Sequence, residues 1–104
     1  MQVKFSYKNV EPKEKNFLED YWLKKQGRFK TLLNFNEFNN AHLEIRAERF
    51  VKKDAFKVEI FLTTPTINLM AGEDDHTIVE AFDLALDKLI IQLRKIHDKK
   101  TKDK

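Results

Sequence analysis

Four stretches of this chain alternate apolar and polar residues with a period of two, a pattern that fits extended strands with one buried face. Val3, Phe5 and Tyr7 alternate with Gln2, Lys4 and Ser6. Leu43, Ile45 and Ala47 alternate with His42, Glu44, Arg46 and Glu48. Phe56, Val58, Ile60 and Leu62 are set against Lys57, Glu59 and Thr63, and Ile67, Leu69 and Ala71 against Thr66 and Asn68. The links Lys52-Lys53-Asp54 and Thr63-Thr64-Pro65 are short and polar, so the last three strands form an antiparallel meander joined by hairpins.

Helical periodicity fills the remaining chain. Over roughly residues 13–34, Phe17, Leu18, Tyr21, Trp22, Phe29, Leu32 and Leu33 recur on one side, with Gly27 a point of bending or breakage. From Thr77 onward, Ile78, Phe82, Ala85, Leu86, Leu89, Leu93 and Ile96 mark one buried face. Thr77-Ile78-Val79-Glu80 has capping-box spacing, and Glu73, Asp74 and Asp75 precede a helix end that favours anions. Four strands and two helices, each with one apolar face, must pack as two layers. The predicted fold is α+β, in the order β-α-β-β-β-α, with a four-stranded sheet and both helices on one face. Double-stranded RNA-binding domains use the same order, which by itself carries no function. Residues 1–98 form the single expected domain, and residues 99–104 a lysine-rich frayed tail.

Composition narrows the function. With 41% apolar and 36% charged residues, 104 residues suffice for one core and a heavily charged surface. The absence of cysteine removes disulfides, thiolate metal sites and thiol nucleophiles. His42, His76 and His97 stand apart, without metal-ligand spacing, and two glycines cannot build a phosphate loop. The N-terminus lacks a signal-like apolar run and no stretch is long enough to span a membrane, so a cytoplasmic location is expected. The reading is a binder rather than an enzyme, with no cofactor and no small-molecule substrate.

The net charge of +3 is concentrated at one end, because residues 88–104 hold seven basic and two acidic side chains. Lys88, Gln92, Lys95 and Lys99 are spaced 4, 3 and 4 apart and form one stripe along the last helix, while Glu80, Asp83, Asp87 and Asp98 fall on another flank. A row of ammonium groups suits a polyanion, since each can displace a counterion. The competing structural reading is a solvated flank complementing a negative helix end. Phe17, Trp22, Phe29, Phe56 and Phe82 are assigned to the core. Phe50 and Phe61 have outward strand parity, and Leu84 and Ile91 lie off the main apolar face, where contact with the neighbouring helix is expected.

The second half of the chain resembles a known family. Glu59-Ile60-Phe61-Leu62, leading through Pro65 to Asn68-Leu69-Met70-Ala71, is similar to the last two strands of the ribosome hibernation-promoting factors, the ribosome-associated inhibitor family. The helix from Glu80 through Asp83, Lys88 and Leu89 into Gln92-Leu93-Arg94-Lys95 and Lys99 resembles their final helix, and Asn9-Val10-Glu11 their opening. The resemblance implies binding to 16S ribosomal RNA of the 30S subunit, free or in the 70S ribosome, near the decoding centre. It further implies a block on messenger and transfer RNA in stress or stationary phase. Lys88, Gln92, Lys95 and Lys99 carry over from the family pattern; Arg94 and Lys100 are added on charge, and Lys24, Lys25, Arg28 and Lys30 as first-helix candidates. Thr77 and Val79 replace the family's Asp and Tyr, and His97 a usual lysine. A short form without the dimerisation domain of long members is expected, and a monomer. The alternatives are a generic double-stranded RNA-binding module and a protein-interaction module using Leu84, Ile91, Phe50 and Phe61.

Overall fold

The computed structural model describes the backbone of residues 1–102 and the side chains of residues 1–97. Its strands are β1 (Gln2–Lys8), β2 (His42–Phe50), β3 (Ala55–Thr63) and β4 (Asn68–Asp75), and its helices α1 (Pro12–Lys25), α2 (Gly27–Leu32), α3 (Phe35–Asn39) and α4 (Ile78–Lys102). The sheet has the order β1-β2-β3-β4. β1 pairs with β2 in parallel, and the two later pairings are antiparallel. A parallel pair needs a long crossover, and α1 to α3 supply it. The expected two-layer α+β architecture is the observed one.

Strand parity delivers the core. Leu43, Ile45, Ala47, Phe56, Val58, Ile60, Leu62 and Ala71 are buried beneath Leu18, Trp22, Phe29, Phe82, Leu86, Leu89 and Leu93 of the helices. Aromatic rings tie the helical layer together. Trp22 meets Phe29 at 5.7 Å and Phe82 edge-on at 6.4 Å, while Tyr21 meets Phe82 edge-on at 5.9 Å.

Several expectations are corrected. The helix over residues 13–34 breaks at the expected point, before Gly27, into α1 and α2; α3, which the periodicity did not announce, follows outside that span. α1 starts where Pro12 takes a first-turn position that needs no amide donor, and it stops before Gly27. α2 ends as Leu33 turns extended, and α3 begins at Asn34, whose side chain accepts from the Glu37 amide at 2.7 Å. Phe17 is half exposed rather than buried; the Lys13 ammonium lies 5.7 Å from its ring. β4 extends to Asp75, so Glu73 and Asp74 belong to the strand instead of the helix entry. The backbone of α4 is described through Lys102; the side chains from residue 98 on, and residues 103–104 altogether, where the expected tail falls, lie outside the described residues.

At the start of α4, Thr77 caps the Glu80 amide at 3.1 Å, as its spacing predicts. Glu80 does not return the bond. A hydrogen bond shared with Asp75 raises the Glu80 carboxyl, and Asp75 is held low by that bond and by the His76 and Thr77 amides. Strand β4 therefore provides the second half of the cap.

Candidate nucleic-acid interface

The last helix sorts its charge because its two flanks meet different neighbours. One flank packs on the crossover helices. There the Tyr21 hydroxyl donates to Asp83 at 2.8 Å, and Arg28 Nη1 donates to Asp87 at 3.0 Å. Tyr21 of α1 and Arg28 of α2 thus reach two acceptors that stand one turn apart on the same flank of α4. The acidic flank is thus partly consumed inside the fold. The Tyr21 hydroxyl is pushed up to about 12, first by burial and then by the Asp83 bond.

The opposite flank of α4 leans toward β4. Lys88 pairs with Glu73, and Gln92 Nε2 donates to the Met70 carbonyl at 3.2 Å. Lys95 is exposed and has no hydrogen bond or ion pair among the described residues. The side chains of Lys99 and Lys100 lie outside the described residues. Arg94 is exposed, but seven residues after Asp87 it lies on the flank that faces α2 rather than on the lysine stripe. The stripe expected from spacing is therefore present on the backbone, with its first two members engaged in the fold.

The first-helix candidates divide between α1 and α2. Lys24 is exposed and unpaired among the described residues. Lys25 lies 5.3 Å from the Tyr21 ring, and Lys30 lies 5.9 Å from the Phe38 ring. Arg28 is held by Asp87. These cations border the Asp83–Asp87 flank, while Lys88 and Lys95 border the β4 flank. Leu84 and Ile91, 43% and 52% exposed, form the ridge between them instead of the helix contact expected for them.

The other broad surface, the sheet face turned away from the helices, is electrically balanced. Cross-strand register places Lys4 beside Glu44, Lys8 beside Glu48, Arg46 beside Glu59 and Lys57 beside both Glu48 and Asp74. Glu44 is held below the usual carboxylate range, chiefly by the Arg46 guanidinium at 3.0 Å and also by Ser6. Arg46 also covers the Phe61 ring at 4.6 Å, so Phe61 is not presented as a bare stacking platform. Phe50 ends β2 half-buried, with Lys53 6.0 Å from its ring. Sequence reasoning missed the clamps made by Tyr21 and Arg28, although Asp83 and Asp87 at four-residue spacing signalled a shared flank.

The model of the family described as sigma 54 modulation protein / S30EA ribosomal protein matches residues 3–101. The chain belongs to that family. The S30EA family is one of ribosome-associated hibernation and modulation proteins, in agreement with the resemblance read from the sequence. No curated protein sequence matches the chain. Among solved structures, the N-terminal domain of Protein Y from Thermus thermophilus is similar, with a TM-score of 0.75 and 22% identity over 92% of this chain and 99% of that one. A ribosomal subunit interface protein from Coxiella burnetii is similar with a TM-score of 0.65 and 16% identity, over 92% and 97%. Both likenesses carry the fold: an S30EA domain with its helices on one face of a mixed sheet.

Among the described residues, no three His, Cys, Asp or Glu side chains form a group able to hold a metal ion, and no helix is long and apolar enough to cross a membrane.

Proposed function

We propose that this S30EA chain docks its helical layer on 16S ribosomal RNA of the small subunit, near the decoding centre, and there excludes messenger and transfer RNA during stress or stationary phase. It acts in the cytoplasm as a binder rather than a catalyst, one copy to a subunit. The observation that carries the reading is an asymmetry between surfaces. The sheet face balances each cation with a neighbouring anion, whereas the helical layer occupies Asp83 with Tyr21 and Asp87 with Arg28 and leaves Lys24, Arg94 and Lys95 exposed and unpaired among the described residues.

The Lys88–Glu73 pair does not oppose this role. Exposed ion pairs contribute about 1 kcal/mol or less, and a phosphate can replace such a carboxylate. Lys95, with Lys99 one turn further along the backbone, extends the row beyond β4. Phosphate contacts position the domain, and RNA shape supplies the selectivity.

Sucrose-gradient sedimentation with purified ribosomes tests the reading. The chain is expected in the small-subunit and 70S fractions. With about six phosphate contacts its affinity falls by orders of magnitude as salt rises. Joint Lys88→Glu, Lys95→Glu and Lys99→Glu substitution is expected to return it to the top of the gradient; unchanged sedimentation of that variant overturns the reading. Exposed Leu84 and Ile91 support a second reading, a protein-interaction module. Binding that is indifferent to salt and abolished by Ile91→Glu favours that alternative, while capture of free duplex RNA without subunits favours a generic double-stranded RNA module.

A further inference from the structure

The two edges of the sheet are treated differently. Along β4, side chains of α4 reach the strand: Gln92 occupies the Met70 carbonyl and Lys88 pairs with Glu73. Along β1, no strand among the described residues pairs with the outer edge. The Gln2 amide donates to the Ala41 carbonyl at 2.9 Å, so the even-numbered residues of β1 direct their amides and carbonyls at β2. Alternation then turns the backbone groups of Val3, Phe5 and Tyr7 outward. The pairing with β2 runs unbroken from Gln2 to Lys8, with no proline and no bulge to blunt the edge. An exposed, regular edge strand is a template for pairing with another chain.

The side chains beside this edge are also incompletely covered. Val3, Phe5 and Tyr7 point to the helical side but are only partly buried, unlike their β2 neighbours Leu43, Ile45 and Ala47. A strand added beside β1 would cover them.

We infer that, off the ribosome, two copies of this chain join through antiparallel pairing of their β1 strands about a two-fold axis at Phe5. The register follows from the sequence of the strand. Only pairings in which outward-directed residues face one another can form hydrogen bonds. Centring on Phe5 sets Phe5 against Phe5 of the second copy and Val3 against Tyr7, while Lys4 meets Ser6 and Gln2 meets Lys8. Centring on Lys4 opposes the two Lys4 side chains, and centring on Ser6 opposes Lys4 to Lys8; both place like charges across the seam, which is unfavourable. Centring on Val3 or Tyr7 avoids that clash but pairs only three residues of each strand, so a single register uses the whole strand without opposing like charges. That favours a second copy over an unrelated strand, for which nothing dictates such symmetry. A seam seven residues long falls below the roughly 1,200 Å² of standard interfaces, so the dimer is weak and reversible.

Because the chain has no cysteine, single substitutions can report the register. Hydrogen-bonded antiparallel partners stand about 5.5 Å apart at Cα, within disulfide reach. Under mild oxidation Phe5→Cys is expected to form a covalent dimer. Val3→Cys and Tyr7→Cys are each expected to stay monomeric alone and to cross-link when mixed. A charge test leaves Val3, Phe5 and Tyr7 in place. Ser6→Lys should weaken self-association in sedimentation equilibrium by about tenfold, through two symmetric like-charge pairs, and adding Lys4→Glu should restore it. Equal cross-linking at positions 3, 5 and 7, no cross-linking at all, or no rescue by Lys4→Glu overturns the proposal. The inference stands apart from the ribosomal reading, because the lysines of α4 take no part in the seam.

Discussion

Single side chains do separable work in this fold, and Phe82 does the most at one point. It is fully buried and touches both Trp22 and Tyr21 edge-on, so one ring joins α1 to α4. Phe82→Ala is expected to cost about 3–5 kcal/mol, measured by urea unfolding, because it removes apolar contact and leaves a cavity the helices cannot fully close. Glu37 shows how a polar residue can be buried without becoming a functional site. It is 8% exposed and accepts from the Thr66 hydroxyl at 2.9 Å, tying α3 to the turn before β4. Phe17 was placed in the core by helical periodicity and stands half in solvent beneath Lys13. Periodicity identifies a face of a helix, but how far the neighbouring layer extends over that face is a property of the whole fold.

The elements divide by how locally they are specified. α4 is written plainly in the sequence: a seven-residue apolar face, a capping threonine and an acidic entry. Thr77→Ala is expected to destabilise the chain by about 1 kcal/mol in thermal or chemical unfolding, while Thr77→Asp should be nearly neutral because either side chain accepts from an N-terminal amide. The crossover between β1 and β2 was less legible. Pro12 and Gly27 mark where α1 starts and stops, yet the Asn34 cap went unread, although Glu37 three residues later repeats the capping spacing. The end of β4 was misplaced because Glu73-Asp74-Asp75 is poor strand composition. Pairing with Phe56, Lys57 and Val58 keeps it extended, which is tertiary context overriding propensity.

At the scale of the whole molecule, the helical layer leaves a signature in alkaline solution. Both tyrosines ionise late: burial and the Glu19 bond raise Tyr7 far above its ordinary value, and burial with the Asp83 bond raises Tyr21 to about 12. The unfolded chain releases these protons near pH 10 while the folded chain retains them. Stability supplied by the pair is therefore complete below that pH and is lost as pH rises toward the folded values. Ultraviolet titration should show delayed phenolate absorbance in the folded chain. Tyr21→Phe should abolish the component near pH 12, and stability should decline over the same window. Charge is likewise arranged by the assembly of layers, which leaves the sheet face balanced and exposes cations on the helical side.

The sequence by itself determined the period-two strands, the amphipathic last helix, the two-layer class and the family, because each is written in residues close along the chain. Only the tertiary structure decided which charges remain available. Lys88, Gln92 and Lys95 are equivalent by spacing, but β4 engages the first two and not the third. Arg28 and Asp87, 59 positions apart, become partners only when α2 meets α4. Spacing along a helix fixes direction about its axis; what stands in that direction is set by elements folded in from elsewhere.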